Sequence, residues 1–195
     1  MMNIINRIVE YEWEMFQRLT PTQRTLACRN NKYMFLLMRS SQWKVYPLNV
    51  QASYLNDIHQ AFLENRNLLF ERYAYMMILT RDLIEDEVTK ILPVIEKEKE
   101  DLVDKIIKHH KVWYESVANK LPTATSAGRP MVYGGVGDID VFTYLKGELF
   151  TYSINTLINI LEAEKMMISQ NKNLVIEIYK NYTKYNHEVE SRWDQ

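Results

Sequence analysis

All five glycines of this 195-residue chain fall between Gly128 and Gly147, and the first 127 residues contain none. Glycine supplies the positive-φ corners that hairpins and many loops require. A glycine-free run this long has few ways to turn other than ending one helix and starting another. Prolines punctuate the chain at Pro21, Pro47, Pro93, Pro122 and Pro130. Segments between single prolines therefore read as helices joined by short turns. No strand alternation is evident and no internal repeat is expected. The fold class is all-α: one domain over residues 1–195, a bundle of roughly six to eight helices, with one irregular glycine-rich loop at about 122–140.

Periodicity places the helices. Ile5, Ile8, Glu12, Met15, Phe16 and Leu19 form one stripe. "TPTQRTLACRNN" reads as a loop, and Asn30 or Asn31 caps a helix to about Trp43. A helix from about Leu48 to Glu64 carries Val50, Tyr54, Asp57 and Ala61 on one side. The next, from about Arg66 to Thr80, places Asn67, Phe70, Glu71, Ala74, Met77 and Ile78 inward. A short helix ends near Leu92, and a long one follows over 94–121 with His110, Trp113 and Val117 on its stripe. Asp138 or Asp140 caps one further continuous helix to about Gln170, with the stripe Val141, Tyr144, Leu145, Glu148, Tyr152, Asn155 and Asn159. A last helix covers about 173–190.

Hydrophobic residues at 47% and aromatics at 12% suffice for a packed core, so disorder is not expected. With 24 basic and 25 acidic residues the net charge is −1, which gives no overall field to attract nucleic acid or an anionic membrane. The lone Cys28 allows no internal disulfide. The N-terminus lacks the basic and apolar regions of a signal peptide, and the longest apolar runs are far short of a membrane span. A soluble, cytoplasmic location is expected, with a homo-oligomer left open.

The chemistry-bearing residues are four acids on inward stripes: Glu12, Asp57, Glu71 and Glu148, each set among aromatic, Met or Leu neighbours. A buried carboxylate costs several kcal/mol unless it is paired, protonated or bound to a cation. Carboxylate-rich oxygen sites suit hard divalent cations, so Glu12, Glu71 and Glu148 are the candidate metal ligands and candidate catalytic acids. Asp57, Asn67, Arg39, Arg129, Tyr144 and Tyr152 are the candidate ligand-binding residues around them. The alternative is internal ion pairing with Arg39, Arg66, Arg72, Arg129 or Lys146.

The histidines add little to a metal site: His109 and His110 are adjacent, so a helix is expected to send them to different faces. No Glu-x-x-His pair, HExxH or zinc spacing is present. Cys28 precedes a helix start beside Arg29, a location that lowers a thiol pKa and makes it a candidate nucleophile; a buried structural cysteine is the alternative. "YGGVGD" lacks GK[ST] and is not a phosphate loop, and reads as a hinge, a lid or a plain connector.

The ordered segments "IVEYEWEMFQ", "CRNNKYMFLLMRSSQW", "SYLNDIHQAFLENRNLLFERYAYMM", "GRP", "TYLKGELFTYS" and "NKNL" resemble a bacterial family known as domain of unknown function 4125, over about residues 8–185. The resemblance implies weight on Glu12, Trp13, Cys28, Arg39, Gln42, Tyr54, Asp57, Asn67, Glu71, Tyr73, Arg129, Tyr144, Gly147, Glu148, Tyr152 and Ser153. It implies a helical bacterial protein and no established activity. The chain departs from that pattern at Arg29, Asn30, Tyr75 and Phe142, which puts a shared family activity in question for this member. Two expectations follow: a carboxylate pocket for a small polar or cationic ligand, including a divalent metal and catalysis, or an interaction protein whose buried polar network is structural.

Overall fold

The structure, a computed structural model, describes residues 3–19, 31–80, 86–120 and 140–193, with side chains described over 3–19, 31–80, 89–118 and 140–184. Cys28, Arg29, Asn30, Arg129, the glycine-rich stretch up to residue 139 and the side chains of His187 and Trp193 lie outside the described residues.

The fold is all-α. The described residues contain nine helices and no strand: α1 Ile4–Gln17, α2 Lys32–Trp43, α3 Leu48–Leu63, α4 Leu68–Thr80, α5 Asp86–Ile91, α6 Lys97–Lys120, α7 Val141–Phe150, α8 Ile154–Ser169 and α9 Leu174–Trp193. Caps explain many of their ends. Asn3, Asn31, Asp140 and Ser153 each accept a backbone N–H from the first turn of the helix they precede, satisfying donors that a helix start leaves unpaired. Asn67 and Asn173 do the same for α4 and α9.

Helices α3 and α8 end alike. Asn65 (φ 52°) and Asn171 (φ 56°) adopt the left-handed conformation. The next residue returns its N–H to the carbonyl five positions back: Arg66 to Ala61 at 2.8 Å and Lys172 to Met167 at 2.9 Å. This is the Schellman closure, and asparagine tolerates its left-handed position better than other residues with a Cβ.

The expected continuous helix from Asp140 to Gln170 is two helices. It breaks at 151–153, where Thr151 N–H and Tyr152 N–H fold back to Glu148 O and Leu149 O, and Ser153 turns extended to cap α8. The break resets the helical phase. Asn155 and Asn159, expected inward, are exposed and half-buried, while Thr156, Leu157, Ile160, Leu161, Ala163 and Glu164 face the core. A smaller rotation corrects α4: Leu68, Leu69, Glu71, Arg72, Ala74, Tyr75 and Met76 are buried, and Phe70 is exposed.

One apolar cluster runs through α1, α3, α4, α6, α7 and α8, with Ile8, Met15, Tyr54, Ile58, Leu69, Ile106, Leu157 and Ile160 at its centre. The principal packings are α1 on α2, α3 and α4; α6 on α7, α8 and α9; α3 on α8; α4 on α7; and α2 on α9. Helices α4 and α7 leave no room for a side chain at Gly147, where an added Cβ would stand 2.8 Å from Arg72 O and 2.7 Å from Met76 Cγ. None of the described helices is long and apolar enough to cross a membrane.

Candidate functional site

Glu12, on the core stripe of α1, is 0% exposed. Arg39, about two turns along from the cap of α2, meets it with both ends of its guanidinium fork: Nε donates to Oε2 at 2.7 Å and Nη2 to Oε1 at 2.5 Å. The Tyr54 hydroxyl (2.9 Å) and the Trp43 indole N–H (3.3 Å) also donate to Oε1. Arg39 is shared. Its Nη2 reaches Glu148 Oε1 at 2.8 Å, and its Nη1 donates to Gln42 at 2.6 Å.

Glu148, on α7, is thereby joined to α1 and α2. It receives the Tyr152 hydroxyl at 2.7 Å and lies 3.3 Å from Arg72 Nη2 of α4. Arg72 also donates to the Tyr144 hydroxyl at 2.7 Å. Beside this centre Trp43 stacks on Tyr54 with ring centroids 4.2 Å apart, and Tyr152 packs tilted against Tyr54 at 4.6 Å. Two carboxylates thus face two guanidiniums in an apolar shell, and the formal charges cancel.

The electrostatics follow from that pairing. Burial alone would raise the Glu148 carboxyl, but Arg39 and Arg72 override it and hold it down at about 2. Burial pulls Arg39 down, and Glu12 and Glu148 more than reverse it, so Arg39 stays charged. Tyr54 and Tyr152 are pushed well above the ordinary tyrosine range by burial and by the adjacent carboxylates, so both remain hydrogen-bond donors.

The other expected members stand elsewhere. Glu71 is buried, but it makes a bidentate pair with Arg66 (Nε to Oε1 2.7 Å, Nη2 to Oε2 2.8 Å) at the α3–α4 turn. Asp57 accepts the Ser153 backbone N–H at 3.0 Å, and burial raises its carboxyl against the Ser153 and Thr156 bonds that lower it. Asn67 caps α4 and donates its amide to Met15 O at 2.8 Å. The expected three-acid metal cluster is therefore not assembled: Glu12 and Glu148 share Arg39, Glu71 belongs to Arg66, and no group of three or more His, Cys, Asp or Glu among the described residues is placed to hold a metal ion.

A second buried polar centre forms around Glu164, a residue off the stripe read from the sequence. Glu164 on α8 is 0% exposed and receives His109 Nδ1 and His110 Nε2 on its two oxygens, each at 2.8 Å. Burial, with the nearby Glu164 and Glu148 carboxylates, raises the Tyr46 hydroxyl. The adjacent histidines reach one carboxylate because their side chains straddle it, contrary to the expectation of separate faces. Glu164 sits three and four residues after Leu161 and Ile160; that signal becomes visible only once the helix is known to restart at Ile154. Of the positions where the chain departs from the resemblance, Tyr75 donates to Pro93 O at 2.7 Å and packs edge-on against Phe150, and Phe142 packs edge-on against Tyr114.

Helices tied together by a buried, charge-neutral Glu–Arg–Glu–Arg centre define the class: an all-α protein with an internal ion-pair core. The family described as Protein of unknown function (DUF4125) matches residues 2–186, and the chain belongs to that family. No curated protein and no solved structure matches.

Proposed function

We propose that the chain is a single-domain helical interaction protein whose buried ion-pair centre is structural and fixes how α1, α2, α4 and α7 fit together. The observation that carries this reading is the sharing of Arg39 between Glu12 and Glu148, with Arg72 completing the balance. Each carboxylate already has a guanidinium partner, which leaves neither the charge nor the coordination positions that a divalent cation requires. Such a network costs desolvation on assembly and returns geometric specificity, which is its best-attested use.

The test pairs stability with composition. Arg39→Met leaves two buried carboxylates short of a partner, and Glu148→Gln leaves Arg72 underpaired. Each is expected to cost on the order of 3–5 kcal/mol in denaturant unfolding. Metal analysis of the purified wild type is expected to show no stoichiometric divalent ion. A stably folded Glu148→Gln protein that has lost a bound metal would overturn the structural reading.

A second reading rests on one atom. Arg72 Nε is buried without a hydrogen-bond partner among the described residues, in a centre where every other buried side-chain polar atom has one. An unpaired guanidinium N–H is costly, and a small ligand presenting an acceptor oxygen satisfies it. This turns the expected cationic ligand into an anionic or neutral acceptor. Stabilisation by small carboxylates or phosphate in a thermal-shift screen, absent in Arg72→Lys, supports it.

A further inference from the structure

We propose that the chain is a tandem pair of equivalent four-helix repeats, α1–α4 and α6–α9, interlocked about an internal pseudo-two-fold axis between α3 and α8. The first observation is the packing pattern. Exchange α1 with α6, α2 with α7, α3 with α8 and α4 with α9. Then α1 on α2, α3 and α4 becomes α6 on α7, α8 and α9; α4 on α7 becomes α9 on α2; and α3 on α8 maps to itself. Every principal packing has its counterpart.

The correspondence continues to single residues. From α2 onward, residue n matches residue n + 106. The turn after α3 and the turn after α8 carry their left-handed asparagines at 65 and 171, the same two closing bonds, and asparagine caps at 67 and 173. Both capping amides then donate to a carbonyl of the corresponding helix, Asn67 to Met15 O at 2.8 Å and Asn173 to Trp113 O at 3.1 Å. "NRNLLFERY" at 65–73 and "NKNLVIEIY" at 171–179 agree at Asn, Asn, Leu, Glu and Tyr.

The breaks before α3 and α8 also agree. Val45 N–H bonds Gln42 O as Thr151 N–H bonds Glu148 O, and Tyr46 N–H bonds Trp43 O as Tyr152 N–H bonds Leu149 O. Pro47 (φ −68°, ψ 165°) and Ser153 (φ −67°, ψ 157°) then take one conformation.

A single helix–turn–helix likeness is commonplace, because short connections use a small set of turns. Bonds across the axis are not. Asn49 Nδ2 donates to Asn159 at 3.2 Å, and its counterpart Asn155 Nδ2 donates to Ser53 at 2.8 Å; both ends of each bond map onto the other pair. In α1 and α6 the match runs as n with n + 98, pairing the buried Ile5, Ile8, Val9, Met15 and Leu19 with the buried Val103, Ile106, Ile107, Trp113 and Val117. The change of offset falls in the connection to the following helix, which is longer in the second repeat.

Two consequences follow. Each repeat's last helix packs on the other repeat's second helix, so neither repeat has its core alone, as in a swapped dimer fused into one chain. The two buried centres are also twins that have diverged. His110 occupies the place of Glu12, while Arg39, Tyr54 and Arg72 correspond to Leu145, Ile160 and Ile178. The Glu12 position pairs with an arginine; the His110 position has no arginine at the corresponding places and pairs with Glu164.

If the repeats are equivalent, the link between α4 and α6 belongs to neither repeat, and an equivalent connector can join the end of α9 to the start of α1. The experiment is a circular permutant of the full chain, opened between Ile91 and Lys97, with Gln195 joined to Met1 by a flexible linker of about ten residues. Wild-type helicity by far-UV circular dichroism, with one cooperative melting transition, is expected. A permutant lacking that transition overturns the proposal. Independently, Asn67→Ala and Asn173→Ala in the native chain are expected to lower the melting temperature by amounts within about a factor of two of each other, since both lose a cap and a cross-helix bond. One silent variant beside one strongly destabilised variant also overturns it.

Discussion

At Gly147 the absence of a side chain sets the distance between two helices. Its Cβ position is occupied by the backbone carbonyl of Arg72 and the side chain of Met76, and Arg72 is the residue that completes the ion-pair centre. Gly147→Ala would have to push α7 off α4, and overpacking of this kind costs roughly 1–3 kcal/mol. The displacement would also lengthen the Arg72–Glu148 contact. Equilibrium denaturation is expected to show that loss, and near-UV circular dichroism a weaker Tyr152 signal; an unchanged midpoint would mean the helices separate freely. The burial of this region was legible in the sequence. Glu12, Asp57, Glu71 and Glu148 sit on apolar stripes, and all four are buried. Their partners were not legible, because periodicity says which way a residue faces and nothing about what faces it. Arg39 stands 27 positions from Glu12 and 109 from Glu148. Only the tertiary fold, which packs α2 on α1 and α7 on α4, brings the three together.

The elements show where local signals stop. The break before α3 was legible because Pro47 cannot continue a helix. The same break before α8 was hidden because Ser153 stands in proline's place. Serine can sit inside a helix, so the stripe of α7 reads through it unbroken, and Glu164 falls off that stripe. The serine does two things that proline cannot. Its hydroxyl accepts from Thr156 N–H at 3.2 Å, and its own N–H donates to Asp57 at 3.0 Å. Ser153→Ala is expected to cost about 1 kcal/mol, the usual value of a cap. Ser153→Pro has a compatible φ of −67° yet is expected to cost more, because it leaves a buried Asp57 oxygen without its donor. Chemical denaturation of the two variants gives the order directly. If proline proved the milder change, the break would be held by backbone conformation alone.

For the whole molecule, the buried charges set the response to acid. Glu148 titrates at about 2 when folded and near the ordinary value of 4.5 when unfolded. Its pKa is lowered by folding, so its contribution is fully present above the unfolded value and is lost as pH falls from about 5 toward 2. The shift corresponds to roughly 3 kcal/mol. Asp57 acts in the opposite sense. Burial raises its folded pKa, so its ionised form costs stability at neutral pH, and that cost disappears when it is protonated. Glu148 prevails because it faces two guanidiniums in the core, whereas burial of Asp57 is partly offset by its bonds to Ser153 and Thr156. The wild type is therefore expected to lose stability steadily below about pH 5. Glu148→Gln starts lower at pH 7 and gives a flatter profile. Asp57→Asn keeps an acceptor for Ser153 and removes the opposing contribution, so it starts higher and falls more steeply. Urea midpoints from pH 7 to pH 2.5 for the three proteins separate these slopes. A wild type as stable at pH 3 as at pH 7 would show that the Arg39–Glu148–Arg72 centre does not hold its carboxylate ionised.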